Sequence, residues 1–388
     1  MGTLGKRSFD QVEESTIDVY KFSSSEVRRL RKACSRQPLF KSKKMNHNID
    51  INTMKAALKT SPAVVSLVSF SGRVMLSQGS GTIIEALENN NIVMTSLNLI
   101  RQPLTDSNAR FVKNSLAADL KIVVGSFEEN SYIGEIVTYD FHYNILFIKF
   151  KSKTRLESAK LSMIDDDHSI KLKPGDPVIV VGRYFDRSFE LMAAPGCFRK
   201  GRCDSSIYDC KELLLAGCHF TRCGDGAPLV NLSGKVIGLV YYEIGPIIPF
   251  LPINIVHKLW DHYKIYKYEL RHPSFGFEGC NLYSSSLAKL DKLIRRFPSI
   301  SDGVLIEKVH TGSCAESAGL CVDDIITSCD DKAVTSFLEL WSFMWDKVGD
   351  TVKLEVVRVK KRTMESIHMV VGEAIPNDLN KWPRFDYM

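Results

Sequence analysis

Short apolar runs rich in β-branched residues recur between about residues 54 and 264, and they constrain the fold of this chain more than any other feature. Each run is four or five residues long and is bounded by turn-forming residues such as Gly, Asn, Asp or Pro. The runs occupy residues 64–68, 81–84, 92–95, 121–124, 145–148 and 178–181. Such runs are typical of the strands of an all-β barrel or sandwich. One helix is expected to close the region at about residues 253–263, because its apolar side chains recur at helical spacing.

A second, smaller unit follows the strand-rich region. Strand-like runs lie near residues 303–306 and 352–357, and a helix is expected between them. The apolar face of that helix consists of Phe337, Leu340, Trp341 and Met344. A length of 388 residues fits two or three domains. We therefore expect a mainly β protein with an N-terminal segment at 1–52, domains at 53–264 and 265–376, and a tail at 377–388.

Positive charge is concentrated at the N-terminal end. Residues 1–60 carry a net charge of +7, whereas the other 328 residues carry −1. Two basic runs, at 28–32 and 41–44, weakly resemble a bipartite nuclear import signal. Such a segment either contacts nucleic acid, acidic partners or import receptors, or is a solvated disordered tail. The neutral remainder argues against a large nucleic-acid surface.

Targeting and metal-binding signals are weak in this sequence. No apolar leader is evident near Met1 and no run of 18 apolar residues occurs, so we expect a cytoplasmic or nuclear protein without a membrane span. Five of the ten cysteines lie between Cys197 and Cys223, with no CxxC pair and no zinc-ligand spacing. We expect reduced thiols, no metal and no cofactor.

Four segments of the first unit resemble the HtrA/Deg (protease Do-like) family. They are residues 79–84, 92–95, 172–179 and 226–239, which contain Gly-Ser-Gly-Thr-Ile-Ile, Ile-Val-Met-Thr, Leu-Lys-Pro-Gly-Asp-Pro-Val-Ile and a Gly-Ala-Pro-Leu-Val-Asn run. Together with the second unit, the resemblance covers about three quarters of the chain. It implies a trypsin-like double β-barrel followed by a PDZ domain of α+β type.

The resemblance also locates the three positions of a serine-protease triad, and all three have changed. The His position of the family is Asn98, the Asp position is Asn144, and the Ser position is Asp225. A triad needs an attacking hydroxyl, an imidazole base and a carboxylate that orients the imidazole. An amide does not titrate near neutral pH and cannot act as that base. We expect a catalytically inactive protein that binds peptides or proteins; the alternative is an active, ATP-independent serine endopeptidase engaged in protein quality control.

The loop around the Ser position carries a further hypothesis. If Cys223, Gly224 and Asp225 keep the family's loop shape, their N–H groups form an anion-binding hollow, and the Asp225 carboxylate could occupy it. A relocated Cys–His pair using Cys223 with His219 or His142 is chemically conceivable, but nine histidines place some near any loop. The nearest serines, Ser206 and Ser233, are not credible nucleophiles.

The second unit resembles a PDZ domain of the HtrA type. Phe275-Gly276-Phe277 resembles its carboxylate-binding loop, and the ordered segments at 303–309, 312–320, 324–326 and 349–352 resemble its strands and turns. The resemblance implies that peptide or protein C-termini pair with a strand edge there. It also implies assembly into homo-oligomers or hetero-oligomers with active relatives. Asp323 departs from a family Gly, and Trp341 and Met344 are expected to be core residues.

Overall fold

The computed structural model describes residues 49–103, 109, 111–128, 130–164, 171–185, 190–199, 208, 210–267, 271–374 and 379–383. Both basic runs of the N-terminal segment lie outside this range, as does Ser206. The functions considered for that segment therefore stay predictions.

Six strands close into a first barrel in the order β1-β2-β3-β6-β5-β4. The strands are β1 (Val64–Ser71), β2 (Val74–Leu87), β3 (Asn90–Ser96), β4 (Leu120–Gly125), β5 (Ser131–Asp140) and β6 (Ile145–Lys151). β1 pairs antiparallel with both β2 and β4, which closes the sheet and leaves no free edge. Five of the predicted runs lie in these strands, because alternating β-branched side chains fill the barrel interior.

A second barrel closes in the order β10-β11-β12-β9-β8-β7. Its strands are β7 (Pro177–Arg183), β8 (Leu191–Arg199), β9 (Leu214–Cys218), β10 (Pro228–Asn231), β11 (Val236–Val240) and β12 (Ile248–Pro252). The run at 178–181 lies in β7. The predicted double β-barrel is therefore confirmed.

Two helices flank the second barrel. α1 (Ile51–Thr60) is capped by the Asp50 side chain, which accepts the N–H groups of Asn52 and Thr53. It begins two residues before the boundary expected at residue 53. α2 (Ile253–Tyr266) matches the predicted closing helix and packs on β11 and β12. α2 ends at Lys267, whose left-handed conformation stops the helix.

The C-terminal unit has a sheet in the order β14-β15-β16-β18-β19, to which β17 adds by pairing with β16. These strands are β14 (Phe277–Asn281), β15 (Val304–Val309), β16 (Ile325–Cys329), β17 (Lys332–Ala333), β18 (Thr351–Arg358) and β19 (Thr363–Val370). A separate pair joins β13 (Pro273–Ser274) to β20 (Gly372–Glu373). Three helices complete the unit: α3 (Leu287–Arg296), α4 (Cys314–Ser317) and α5 (Phe337–Met344).

One buried serine joins the two barrels. Ser80 of β2 donates its hydroxyl to the Cys223 carbonyl at 2.6 Å and accepts the Arg183 N–H at 2.9 Å. Its own N–H donates to the Asp225 carbonyl at 2.9 Å. The loop before β10 is thus fixed against the first barrel.

The C-terminal unit packs on the barrels through a cluster that we call the aromatic junction. Its members are His142, Tyr143, Tyr241, His272, Trp341 and Trp382. The indole of Trp341 in α5 donates to the Tyr143 hydroxyl at 2.9 Å, and His272 pairs with Asp140 at 2.7 Å. These polar groups are buried and do not bond to water, so each of these contacts supplies a hydrogen-bond partner that the group would otherwise lack.

The C-terminal tail also inserts into this junction. Trp382 is 1% exposed, its indole donates to the His142 carbonyl at 3.1 Å, and its ring lies 4.7 Å from that of Tyr241. The Val112 N–H donates to the Trp382 carbonyl at 3.0 Å. The tail is therefore anchored on both barrels.

No helix in the described ranges is long and apolar enough to cross a membrane.

Trp382→Ala should lower the free energy of unfolding by about 3–5 kcal/mol, because it removes a large buried ring and a buried hydrogen bond. The measurement is urea unfolding followed by circular dichroism. Leu287→Ala is the control, since that side chain is 82% exposed, and it should change stability by less than about 0.5 kcal/mol. Equal stability of the two variants would contradict the anchoring role of the tail.

Candidate functional site

Asn98, Asn144 and Asp225, which the resemblance aligns with a serine-protease triad, lie together and are joined by hydrogen bonds. The Asn144 side-chain amide donates to Asn98 Oδ1 at 3.1 Å, and the Asn98 amide donates to Asp225 Oδ2 at 3.4 Å. Behind them, Arg101 Nε donates to Asn144 Oδ1 at 2.8 Å. We call this series, Arg101–Asn144–Asn98–Asp225, the donor chain, because every bond in it points its hydrogen toward Asp225.

Local backbone structure places the two asparagines. Asn98 lies in a short 3-10 turn after β3, and its N–H donates to the Ser96 hydroxyl at 3.2 Å. Asn144 precedes β6 with a φ of 53°, a left-handed conformation that asparagine tolerates better than most residues. The Leu97 N–H donates to the Asn144 carbonyl at 2.9 Å, which ties the two turns together.

Asp225 lies at the junction of the two barrels. Its Oδ1 accepts the Tyr242 N–H at 3.0 Å. Burial raises the pKa of Asp225 to about 6, although the hydrogen bonds from Tyr242 and Asn98 partly oppose that shift. The next residue, Gly226, has a φ of 77°, and a side chain there would collide with Thr95 at the end of β3.

The carboxylate of Asp225 does not occupy the hollow proposed from the sequence. Residues 222–224 form a 3-10 turn in which the Gly224 N–H donates to the Thr221 carbonyl at 2.8 Å. The Asp225 N–H donates to the Arg222 carbonyl at 3.0 Å. Two of the loop's amides are thus already used, and the carboxylate turns to Tyr242 instead. The hypothesis of an internal oxyanion mimic is wrong for this structure.

The structure also does not bring Cys223 to a histidine. The Cys223 thiol is buried, 3.0 Å from the Thr221 hydroxyl and 3.6 Å from the Met192 sulfur, whereas His219 is exposed. His142 stacks on His272 in the aromatic junction, where burial lowers its pKa to about 3. Neither histidine is placed as a base for Cys223.

Sequence reasoning missed Arg101 and Tyr242, which complete the site. Arg101 is 5% exposed, and its guanidinium also donates to the Lys113 carbonyl and the Asn114 side chain, both at 2.9 Å. The sequence signal for Arg101 was its position directly after the two apolar residues that follow Asn98. The role of Tyr242 had no sequence signal, because it uses only its backbone.

The segment predicted to be the PDZ loop, Phe275-Gly276-Phe277, leads into β14, and Phe277 is the first residue of that strand. Gly276 has a φ of 69°, and its carbonyl accepts the His310 N–H and the Ser313 hydroxyl, both at 2.9 Å. The rings of Phe275 and Phe277 are buried, and Phe275 also contacts Phe337 of α5 at 6.1 Å.

The flanking PDZ features agree with the sequence. Trp341 and Met344 are fully buried, as expected of core residues. Asp323 adopts a φ of 75° where the family has Gly. Among the described residues, no group of three His, Cys, Asp or Glu side chains is arranged to hold a metal ion.

Comparisons with known proteins match both units. Residues 79–239 match the family model of a trypsin-like peptidase domain, and residues 291–368 match that of a PDZ domain. Protease Do-like 14 of Arabidopsis thaliana is 30% identical over 84% of this chain and 71% of its own length. The serine protease Do-like HtrA of Lactococcus lactis (strain IL1403) is 25% identical over 78% of this chain and 72% of its own length. A solved structure, the serine endoprotease from Yersinia pestis, aligns with 84% of this chain and 100% of its own at 16% identity and a TM-score of 0.48.

The raised pKa of Asp225 makes a prediction about stability. In the unfolded chain the Asp225 carboxyl has a pKa of ~3.9. Between about pH 4 and 6 the folded chain therefore binds more protons at this group than the unfolded chain does. The stabilising contribution of protonated Asp225 is therefore complete below pH ~4 and is lost as the pH rises through about 6. Relative to wild type, Asp225→Asn should gain on the order of 2 kcal/mol between pH 4 and 7.

Urea unfolding at pH 4, 5, 6 and 7 measures this difference. Asp302→Asn, which neutralises an exposed carboxylate, is the matched control. A stability difference between Asp225→Asn and wild type that stays constant over this range would contradict the raised pKa.

Proposed function

The chain belongs to the Do-like (HtrA/Deg) protease family, and from this premise we propose that it has lost hydrolase activity and acts by binding peptides. Its trypsin-like unit then serves as a scaffold, and its PDZ unit captures the carboxyl-terminal segments of peptides or proteins. Active relatives of the same family are further candidate partners, through assembly.

One contact carries the proposal: the Asn98 amide donates to the Asp225 carboxylate at 3.4 Å. In an active relative, the same two positions hold an imidazole and the hydroxyl that it deprotonates. Here the first group cannot accept a proton and the second is a carboxylate rather than an activated hydroxyl. The pair therefore lacks both the imidazole base and the hydroxyl nucleophile of a serine protease.

The loop geometry supports the same conclusion. A trypsin-like enzyme stabilises its tetrahedral intermediate with backbone N–H groups that point at the developing oxyanion. The N–H groups of Gly224 and Asp225 donate to carbonyls of their own turn. Loss of one such donor typically costs a factor of about 10²–10³ in rate, so restoring the triad residues alone would leave this deficit.

The peptide-binding part of the proposal is supported by the edge of the PDZ sheet. Among the described residues, β14 is a terminal strand of its sheet, and it begins at Phe277, the last residue of the Phe275-Gly276-Phe277 loop. An extended peptide can add to such an edge through main-chain hydrogen bonds while its carboxylate meets the loop amides. The competing function is the protease activity that the names of these relatives carry.

A casein-cleavage assay on the full chain separates the two functions. With fluorescently labelled casein, we expect the wild type to release no more fluorescent peptide than Asp225→Ala, because neither contains the hydroxyl nucleophile and imidazole base of a serine protease. A triple variant, Asn98→His with Asn144→Asp and Asp225→Ser, should rise above that background. Its gain should be limited until the 222–225 turn opens.

Cleavage by the wild type that disappears in Asp225→Ala or Cys223→Ala would refute the loss of activity. Circular dichroism of each variant confirms that it is folded before its rate is compared.

A further inference from the structure

A cleft of about 510 Å³ separates the second barrel from the PDZ unit. Cavities of this size are typical of ligand sites. One wall is built from residues 279–281 of β14 and residues 335–338 at the start of α5. The opposite wall belongs to the trypsin-like unit and carries four basic side chains: Lys171, Lys173, Arg199 and Lys211.

The PDZ wall of the cleft is a strand edge. β14 pairs with β15 on one side, and the sheet has no strand on its other side within the described residues. A strand edge presents N–H and C=O groups that accept an added extended segment. The PDZ wall of the cleft can therefore pair with an extended chain.

The position of the PDZ loop gives that added chain a direction. Phe275, Gly276 and Phe277 come before the part of β14 that lines the cleft. A peptide whose carboxylate lies at this loop must run antiparallel to β14, with its earlier residues beside residues 279–281. At ~3.3 Å per residue, the cleft holds the peptide residues that lie about three or more positions before the carboxyl terminus.

The barrel wall sets the chemistry that those earlier residues meet. Lys171, Lys173 and Arg199 are exposed, and none of them forms an ion pair with another described residue. Lys211 already pairs with Glu278 of β14 at 3.6 Å. The acidic lining residues are Glu212, whose carboxylate contacts the Cys210 thiol at 3.3 Å, and Asp302. Among the described lining residues, the basic groups outnumber the acidic ones, and Lys171, Lys173 and Arg199 form no ion pair with another described residue.

We propose that the cleft selects extended peptide segments with acidic side chains upstream of their carboxyl-terminal residues, and that the trypsin-like unit supplies this selectivity. This proposal rests on the peptide-binding function proposed above. Lys171, Lys173 and Arg199 are positioned to pair with carboxylates of a chain added to β14. The barrel then contributes to recognition without any chemistry of its own.

Fluorescence anisotropy of two labelled ten-residue peptides tests the proposal. Both end in the same three apolar residues; one has four Glu upstream and the other has four Gln. Wild type should bind the Glu peptide at least tenfold more tightly. Lys171→Glu/Lys173→Glu/Arg199→Glu should remove that preference while leaving the Gln peptide's affinity within about twofold. A single exposed ion pair strengthens binding by up to about fivefold, so three such contacts together can supply a tenfold preference.

The matched control reverses three exposed lysines of α1 and the first barrel that do not line the cleft: Lys55→Glu/Lys151→Glu/Lys153→Glu. It produces the same change in net charge and should keep most of the preference at 150 mM salt, where distant charges are screened.

Equal loss of the Glu preference in the two triple variants, or equal binding of the Glu and Gln peptides by wild type, would overturn the acidic selectivity while peptide binding itself stands. An affinity for the Glu peptide that is unchanged when its carboxyl terminus is amidated would overturn the assigned direction along β14. Absence of binding to both peptides would overturn the peptide-binding function as well.

Discussion

Ser80 is the contact on which the arrangement of both barrels and of the candidate site depends. Its hydroxyl and backbone connect β2 to β7 and to the loop that carries Asp225. Its carbonyl also accepts the Thr95 hydroxyl at 2.7 Å, which adds the end of β3. Because the residue is fully buried, each of these bonds forms without competition from water, and a lost partner would leave a costly unsatisfied group. The small Gly79 allows this approach, since a side chain there would collide with the Asp225 carbonyl.

Beside this contact lies the donor chain, in which three groups in turn point their hydrogens toward Asp225. Its donors are two neutral amides and a guanidinium. Burial lowers the pKa of Arg101 to about 10, so the guanidinium remains charged at neutral pH. Its charge lies behind Asn144 rather than beside a substrate. Each group in the chain donates a hydrogen bond to the next one. Such a network stabilises a fixed arrangement more readily than it transfers protons.

Much of this architecture could be predicted from the sequence. The β-branched runs indicated the strands, because strands of closed barrels need side chains that fill a narrow interior. The sequence also grouped Asn98, Asn144 and Asp225 into one site, and their side chains are joined by hydrogen bonds. Their assignment as triad positions, like that of the PDZ loop, stays a prediction. The hydrogen-bond partner of the Asp225 side chain could not be predicted, because it depends on which backbone N–H groups already donate within the 222–224 turn. The hydrogen-bond partner of Trp341 could not be predicted either. Helical spacing indicates that Trp341 is buried, but its bond to Tyr143, 198 residues away, depends on how the two units pack together.

Tyr143 is held from three directions at once. Its N–H donates to the Asp140 side chain, its carbonyl accepts the Tyr241 hydroxyl, and its own hydroxyl accepts the Trp341 indole. These partners belong to the first barrel, the second barrel and the PDZ unit. Asn144 follows immediately, in its left-handed conformation. The hydrogen bond between Tyr143 and Trp341 crosses the boundary expected near residue 265, so the turn that carries Asn144 is next to a residue held in part by the PDZ unit.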